Sequence, residues 1–370
     1  MSNCEKIKQE YENLKSIKKE FDLEYQKAAE TGNLEKANEL KAELEQKRDA
    51  LQKKLWPFEE LPSKELKEQY ESKKKILENT GLLEKLSNGE MGIKGINNKE
   101  YAIPTYNEII KKIRENKEIF KTKTEQGFTE MEIVPFGLSL EKLIETAKKT
   151  ILKHHKEGKL FYTRKNSEDE NEQLIPVELD ENKPLWIWDG YQNADIDGKL
   201  FYFPKEFSQN HQGKTKEQIL KETNQGFQVI LREKNINIPR EGKREIIGNR
   251  PQIDTGGTSI KKYIKKGKLI PSPEEYLKAI QTEPIYKNET GQTPEDWFAT
   301  FLTYLEKHNQ VIDDYQGNGS IAYNLGGYFP ADGYIPYAYW SRDFRQAFLG
   351  RINPKHRNGS YGVRGRVRIL

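Results

Sequence analysis

The chain has very little cysteine, which excludes two kinds of cysteine-based structure. A single cysteine, Cys4, occurs among 370 residues, which excludes a disulfide framework and a metal site built from several thiolates. No apolar run approaches the length that spans a bilayer, and the first residues have no apolar signal-peptide core. We therefore expect a soluble, cytoplasmic protein without a membrane span. Display on a cell surface or virion is compatible with the same sequence.

Spacings typical of catalytic, metal and nucleotide sites are missing as well. His154 and His155 are adjacent and point to different faces of a helix, whereas helical metal ligands prefer positions i and i+4. Residues 195–198 carry two aspartates but lack the long loop and terminal glutamate of an EF-hand. Residues 211–215 lack the first glycine and the buried strand of a phosphate-binding loop. The sequence therefore predicts no enzyme, no cofactor and no metal.

Most of the polarity lies in the first third of the chain. The apolar fraction is 34% and the charged fraction 32%, but an aromatic content of 11% argues against global disorder. Apolar residues at three- and four-residue spacing predict a helical hairpin over residues 1–58. A helix is predicted over 62–86, and another begins at the Thr105–Glu108 capping-box pattern. We expect an all-α region over 1–125, either a solvated bundle or an arm that docks a partner.

From residue 126 onward the pattern is that of an α+β domain. Residues 240–290 are rich in lysine, glycine and proline and are predicted to be mostly loop. The predicted regular elements are a strand over 131–136, a helix over 140–158 capped by Ser139, an aromatic hairpin formed by 185–188 and 199–203, and a helix over 293–308.

The C-terminal segment is basic and aromatic. From Ser341 onward it has eight Lys/Arg and one acidic residue, a net charge of +7, while the rest of the chain sums to −3. Interleaved Tyr and Phe in such a segment are typical of single-strand nucleic-acid binding. Residues 362–370 alternate apolar and basic side chains, which predicts a final strand with one buried face. Its arginines, Arg364, Arg366 and Arg368, are expected on the solvated face.

Regular positions in this segment alternate with positions that follow no helical or strand period. The regular ones read Tyr339-Trp340-x-Arg342-Asp343-x-Arg345-Gln346-Ala347, Arg351-x-Asn353-Pro354, Gly362-Val363-Arg364 and Val367-Arg368-Ile369. This signature resembles the C-terminal variable region of target proteins of diversity-generating retroelements, in which adenine-directed mutagenesis rewrites selected codons. The resemblance implies a C-type lectin-like domain over 126–370, with a large central insertion at 160–290.

The resemblance also implies a ligand-binding, receptor-like protein that recognises variable protein partners. Its scaffold residues would be Trp340, Gly362, Val363, Val367 and Ile369. The ligand-facing variable positions, within a segment of about 334–365, would be Ser341, Phe344, Phe348, Gly350, Ile352, His356, Arg357, Asn358, Gly359, Ser360, Tyr361 and Gly365.

Lectin calcium chemistry is not carried over, because the Glu-Pro-Asn ligand motif is absent. Enzymes on the same scaffold need reactive cysteines, and Cys4 lies outside the domain. The alternative function, nucleic-acid binding through the basic aromatic tail, stays open. The identity of the ligand and the oligomeric state also stay open.

Overall fold

The computed structural model describes residues 63–164, 171–234, 236, 264–265, 268–269 and 271–370, together with isolated helical positions between 12 and 47. The chain divides into two compact units, Met1–Glu68 and Gln69–Leu370. The hairpin predicted over 1–58 therefore lies largely outside the described residues. The predicted domain boundary was residue 125, whereas the second compact unit begins at Gln69.

A small sheet follows the first described helix, α1 (Ser63–Asn79). Its three antiparallel strands are β1 (Glu84–Lys85), β2 (Met91–Lys94) and β3 (Glu100–Ala102). This sheet corrects the expectation of an all-α region up to residue 125. The turn between β2 and β3 uses a left-handed Asn98, with φ of 61°, a conformation that asparagine tolerates.

The helix predicted from the Thr105 capping box is present but broken. Thr105 accepts a hydrogen bond from the Glu108 amide, and the Glu108 carboxylate accepts one from the Thr105 amide. Asn116 separates α2 (Tyr106–Glu115) from α3 (Lys117–Glu125). Its φ of −119° and ψ of 33° depart from helical geometry, so two short helices replace one.

The rest of the described chain alternates short strands with four helices. In chain order the elements are β4 (Phe128–Val134), α4 (Leu140–Lys156), β5 (Leu185–Ile187), β6 (Phe201–Tyr202), α5 (Lys216–Thr223), β7 (Gln228–Glu233), β8 (Ile264–Lys265), β9 (Lys268–Leu269), α6 (Pro273–Thr282), β10 (Glu289–Gly291), α7 (Pro294–His308), β11 (Asp314–Tyr315), β12 (Ile321–Tyr323), β13 (Gly327–Tyr328), β14 (Ile335–Ser341), β15 (Gln346–Ile352), β16 (Tyr361–Val363) and β17 (Gly365–Arg368).

One part of the core lies around an antiparallel sheet of order β10-β17-β7-β4, and another part packs against helix α6. Helices α4 and α7 contact each other, and α7 contacts β4. The predicted start of α4 is confirmed, since Ser139 accepts from the Lys142 amide. The predicted start of α7 is confirmed by a capping box between Thr293 and Asp296, with a proline in the first turn. The architecture is α+β.

A second sheet has the order β16-β12-β14-β15-β5, and β11 runs parallel to β14 at one end. The predicted hairpin of residues 185–188 and 199–203 is wrong. Strand β5 pairs in parallel with β15, and β6 pairs with β13. The intervening residues close a local turn, in which the carbonyl of Ala194 accepts from the amides of Lys199 and Leu200.

The segment predicted as loop over 240–290 contains regular structure in its described part. Helix α6 begins at a capping box between Ser272 and Glu275, and β10 pairs with β17. Among the described helices none is long and apolar enough to cross a membrane.

Candidate binding face

The pleat of β15 sorts the predicted variable positions to one side of the second sheet. Phe348, Gly350 and Ile352 alternate along the strand with Ala347 and Leu349. Successive side chains of a strand point to opposite faces. The two sets therefore lie on opposite faces, and both Ala347 and Leu349 are fully buried.

Neighbouring strands extend this side with aromatic residues. Tyr339 lies opposite Phe348 on one side and Trp186 lies opposite it on the other. Tyr337 lies opposite Tyr323 of β12. Paired residues in adjacent strands project to the same face. We call this side the aromatic face; its residues are Trp186, Phe348, Tyr339, Tyr337, Tyr323 and Tyr361.

The rings of the aromatic face form a continuous series of contacts. Tyr339 stacks on Phe348 with centroids 5.0 Å apart, and Trp186 lies 5.2 Å from Phe348. At the other end Tyr323 stacks on Tyr361 at 4.7 Å, and Tyr337 meets Tyr361 edge to face at 6.0 Å. These offset and edge-to-face arrangements are the favoured geometries of aromatic pairs.

One end of the aromatic face is open and the other is covered. Trp186 is 41% exposed and Phe344, in the β14–β15 turn, is 60% exposed. Phe344 contacts Phe348 at 5.4 Å. Tyr323 is only 1% exposed, because Tyr276 of α6 packs beside it at 6.4 Å. The Trp186 end of the face is therefore open to solvent.

Two predicted variable positions support the face without projecting from it. Ser341 is buried, and its hydroxyl accepts a hydrogen bond from the Phe344 amide at 3.2 Å. Gly350 lies beneath the Tyr337 ring, so that a Cβ added at Gly350 would lie 2.4 Å from Tyr337 Cζ. Larger side chains at either position require their neighbours to move.

The loop before β16 lies beside the covered end of the face. The His356 ring is 5.4 Å from that of Tyr361. Arg357 forms a two-point ion pair with Glu275 of α6, at 2.5 and 2.6 Å. Asn358 is exposed, Gly359 and Ser360 are half-buried, and the Asn358 side chain accepts from the Ser360 amide.

Gly365 does not join the other predicted positions. It lies in β17 of the four-stranded sheet, opposite Gly291, and is buried. The expectation that it faces the ligand is therefore wrong. A local sequence period cannot show that the chain passes from one sheet to the other between Val363 and Gly365.

The expected solvated face of arginines is also wrong for two of its three members. Arg364 is 4% exposed and pairs with Asp313 at 2.9 Å. Arg366 is 1% exposed and pairs with Asp296. Arg368, in contrast, is exposed.

Carboxylates elsewhere in the chain neutralise much of the charge of the tail. Besides Arg364 and Arg366, Arg357 pairs with Glu275, and Arg342 pairs with Asp314 at 2.8 Å. Four of the eight basic residues counted from Ser341 onward are thus paired. Much of the net charge of +7 in the tail is therefore compensated by carboxylates elsewhere in the chain, and it does not form a positively charged surface patch.

The titratable groups of the face are neutral near pH 7. Burial raises the pKa of the Tyr337, Tyr339 and Tyr361 hydroxyls above their ordinary value of 10. Burial lowers the pKa of His356 below 6.5. The face therefore offers rings and neutral hydroxyls, which suit an apolar or hydrogen-bonding partner.

The expected scaffold residues are buried. Trp340 is fully enclosed, and Val363, Val367 and Ile369 are also buried. The tyrosines of β14 were not among the predicted site residues, although Tyr337 and Tyr339 alternate with period two and that signal was available. Tyr276 and Glu275 carry no such signal, because α6 lies far away along the sequence.

Comparisons of the chain with models of known families, with curated proteins and with solved structures found no match. Within the described ranges, no group of three or more His, Cys, Asp or Glu side chains is placed to hold a metal ion.

Proposed function

We propose that this chain is a receptor-like, ligand-binding protein whose aromatic face recognises a protein partner and is diversified by a retroelement. The observation that carries the proposal is the sorting of positions in β15. The irregular residues Phe348, Gly350 and Ile352 lie on the aromatic side, where Phe348 and Gly350 are buried and Ile352 is half-buried, and the fully buried Ala347 and Leu349 of the same strand lie on the other.

The order of elements supports a C-type lectin-like fold for this domain. Such a fold begins with a strand and a helix, places a second helix later and ends in a small antiparallel sheet. Here β4 and α4 come first, α7 follows, and β17 returns to the sheet that contains β4. Residues between α4 and α7 then form the central insertion, and its helix α6 covers one end of the aromatic face.

The chemistry of the face favours a protein partner. Tyr, Trp and Phe are enriched among the residues that dominate protein–protein binding, because they bury a large rigid area at a low entropic cost. Trp186 and Phe344 are the exposed members of one ring cluster. Nucleic-acid binding is less well supported, since four tail arginines are already paired with carboxylates.

Sequencing the same locus in sibling strains tests the diversification. We expect substitutions to concentrate at Phe344, Phe348, Ile352 and Tyr361, and a near-identical template repeat and a reverse transcriptase gene to lie nearby. Trp340 and Leu349 should stay constant, because both are fully buried. An invariant tail without a template repeat would contradict the diversification.

A displayed library tests the capacity of the face to bind proteins. One library randomises Phe344, Phe348, Ile352 and Tyr361, and the matched control randomises the exposed α5 positions Glu217, Gln218, Lys221 and Glu222. Selection against one purified globular protein should enrich binders from the first library alone. Equal enrichment from both libraries would argue against a dedicated binding face.

A further inference from the structure

A fully buried lysine lies against two carboxylates, on residues that contribute nothing to the aromatic face. Lys216 is the first residue of α5, Asp195 lies in the turn before β6, and Glu295 lies in the first turn of α7. Lys216 Nζ is 2.5 Å from Asp195 Oδ2 and 2.9 Å from Glu295 Oε1. The side chains of all three residues are 0% exposed. We call these three residues the buried triad.

Aromatic rings and backbone enclose the lysine of the buried triad. Lys216 Nζ lies 5.4 Å from the centroid of the Phe136 ring and 5.8 Å from that of Tyr202. It also donates a hydrogen bond to the Leu138 carbonyl at 2.7 Å. The Tyr202 hydroxyl donates to Glu295 Oε1 at 2.6 Å. Such an enclosed site excludes water, so that hydrolysis does not compete with a condensation inside it.

Two carboxylate oxygens of the buried triad accept no hydrogen bond within the part of the chain that the structure describes. They are Asp195 Oδ1 and Glu295 Oε2, and both are buried. A buried, ionised carboxylate with an unsatisfied oxygen is costly. An amide bond between Lys216 and Asp195 would remove two of the three buried charges, and it would leave Asp195 Oδ1 as a neutral carbonyl oxygen.

We propose that Lys216 Nζ and Asp195 Cγ join in an intramolecular amide bond, with Glu295 as the group that transfers protons. Burial alone would lower the pKa of Lys216, but the charges of Glu295 and Asp195 outweigh burial and raise it. The ammonium is therefore the resting form. One proton first passes from Nζ to Asp195 Oδ2 along their 2.5 Å contact. The neutral amine then attacks Cγ and the C–N bond forms.

Glu295 completes the proton balance of this reaction. Its carboxylate takes a second proton from the attached nitrogen and delivers it to Asp195 Oδ2, whose bond to Cγ breaks. The Leu140 amide donates to Oδ2 at 3.0 Å and holds this departing oxygen. One water molecule leaves, Glu295 ends as a carboxylate, and the reaction requires no external reactant. The bond is independent of the proposed receptor function.

A second buried ion pair of the chain provides an internal control. Lys73 Nζ lies 2.8 Å from Glu132 Oε1, and both residues are buried. Arg232 donates to the same oxygen at 3.0 Å. Burial opposes ionisation of Glu132, but the charges of Lys73 and Arg232 outweigh it and lower the pKa of that carboxyl. Because a second cation replaces the second carboxylate, this site has no base, and Lys73 should stay unmodified.

Mass spectrometry of the denatured full chain tests the bond. The wild type should weigh about 18 Da less than the mass calculated from its sequence, which is the loss of one water. A protease digest should contain one branched peptide that links Lys216 to Asp195. A succinimide at Asp197-Gly198 would give the same loss without a branched peptide. Folded wild type at the full calculated mass, or a loss confined to Asp197-Gly198, would overturn the proposal.

A matched pair of variants tests the role of Glu295. Glu295→Gln keeps the shape of the side chain and removes the base, so this variant should have its full calculated mass. Glu217→Gln makes the same change at an exposed position of α5 beside Lys216, and it should keep the loss of about 18 Da. Circular dichroism checks that both variants fold. A branched peptide in Glu295→Gln would refute the assigned base, and if that variant does not fold, the wild-type digest still decides whether the bond exists.

Discussion

The substitution Asp313→Asn tests whether the tail residue Arg364 belongs to a buried network of ion pairs or to a charged surface patch. Asp313 accepts hydrogen bonds from Arg364 Nη2 and from the Trp297 indole, both at 2.9 Å, and all three residues are buried. Burial raises the pKa of Asp313, while the neighbouring Arg364 guanidinium opposes that rise. The Asp313 backbone has a left-handed φ of 50°, which asparagine also tolerates. The substitution therefore removes the charge and leaves the backbone geometry in place.

The expected loss is large, because Arg364 would stay buried without its counter-charge. Removing one partner of a buried ion pair costs about 3–5 kcal/mol. Arg364 Nη1 keeps a bond to Gln292 at 2.9 Å, and Nη2 keeps one to the Ile236 carbonyl at 2.8 Å. These hydrogen bonds still satisfy part of the guanidinium. We therefore expect the free energy of unfolding to fall by about 3 kcal/mol, the low end of the range.

Urea denaturation monitored by tryptophan fluorescence measures this change in the free energy of unfolding. The control is Asp343→Asn, because Asp343 is exposed in the β14–β15 turn, and it should change stability by less than about 0.5 kcal/mol. A loss below about 1 kcal/mol for Asp313→Asn would refute the reasoning. It would mean that Arg364 reaches solvent and that the basic tail is again a candidate surface patch.

Three further predictions follow from the same contacts. Gly350→Ala should destabilise the fold by about 1–3 kcal/mol in urea denaturation, because its Cβ collides with the Tyr337 ring; a neutral result would show that this ring moves freely. The pKa of His308 is lowered from 6.5 to about 4 in the folded state. Its contribution to stability is therefore complete above pH 6.5 and is lost as the pH falls towards 4, by at most about 3 kcal/mol, and in pH-dependent thermal unfolding His308→Gln should flatten that fall. In filter binding, single-stranded oligonucleotides should bind weakly, with a plot of log K against log salt shallower than about −4; a steeper slope would contradict the internal pairing of the tail arginines.

Local rules predicted the helix starts well. The caps at Thr105, Ser139 and Thr293 are all formed, because a capping bond joins residues only two or three positions apart. These predictions depend on geometry within one element.

Strand pairing could not be predicted in the same way. Leu185 pairs with Ala347, and Tyr202 pairs with Gly327, partners that lie more than a hundred residues away along the sequence. The aromatic residues at 185–188 and 199–203 are equally compatible with a hairpin. Which strands pair depends on all the other strands of the fold, and here β5 and β6 each pair with a distant strand. The three short strands before residue 103 were missed because strands of two to four residues carry almost no period.

By itself the sequence marked the irregular positions between Tyr339 and Leu370 and predicted that Trp340, Val367 and Ile369 belong to the interior. Only the tertiary structure decided what each irregular residue does. In the structure Phe344 is exposed and Ser341 is buried. Arg357 pairs with Glu275 of α6, and Gly365 lies in the other sheet. The physical reason is that periodicity arises within one strand, whereas burial and ion pairing depend on which distant segments fold against that strand.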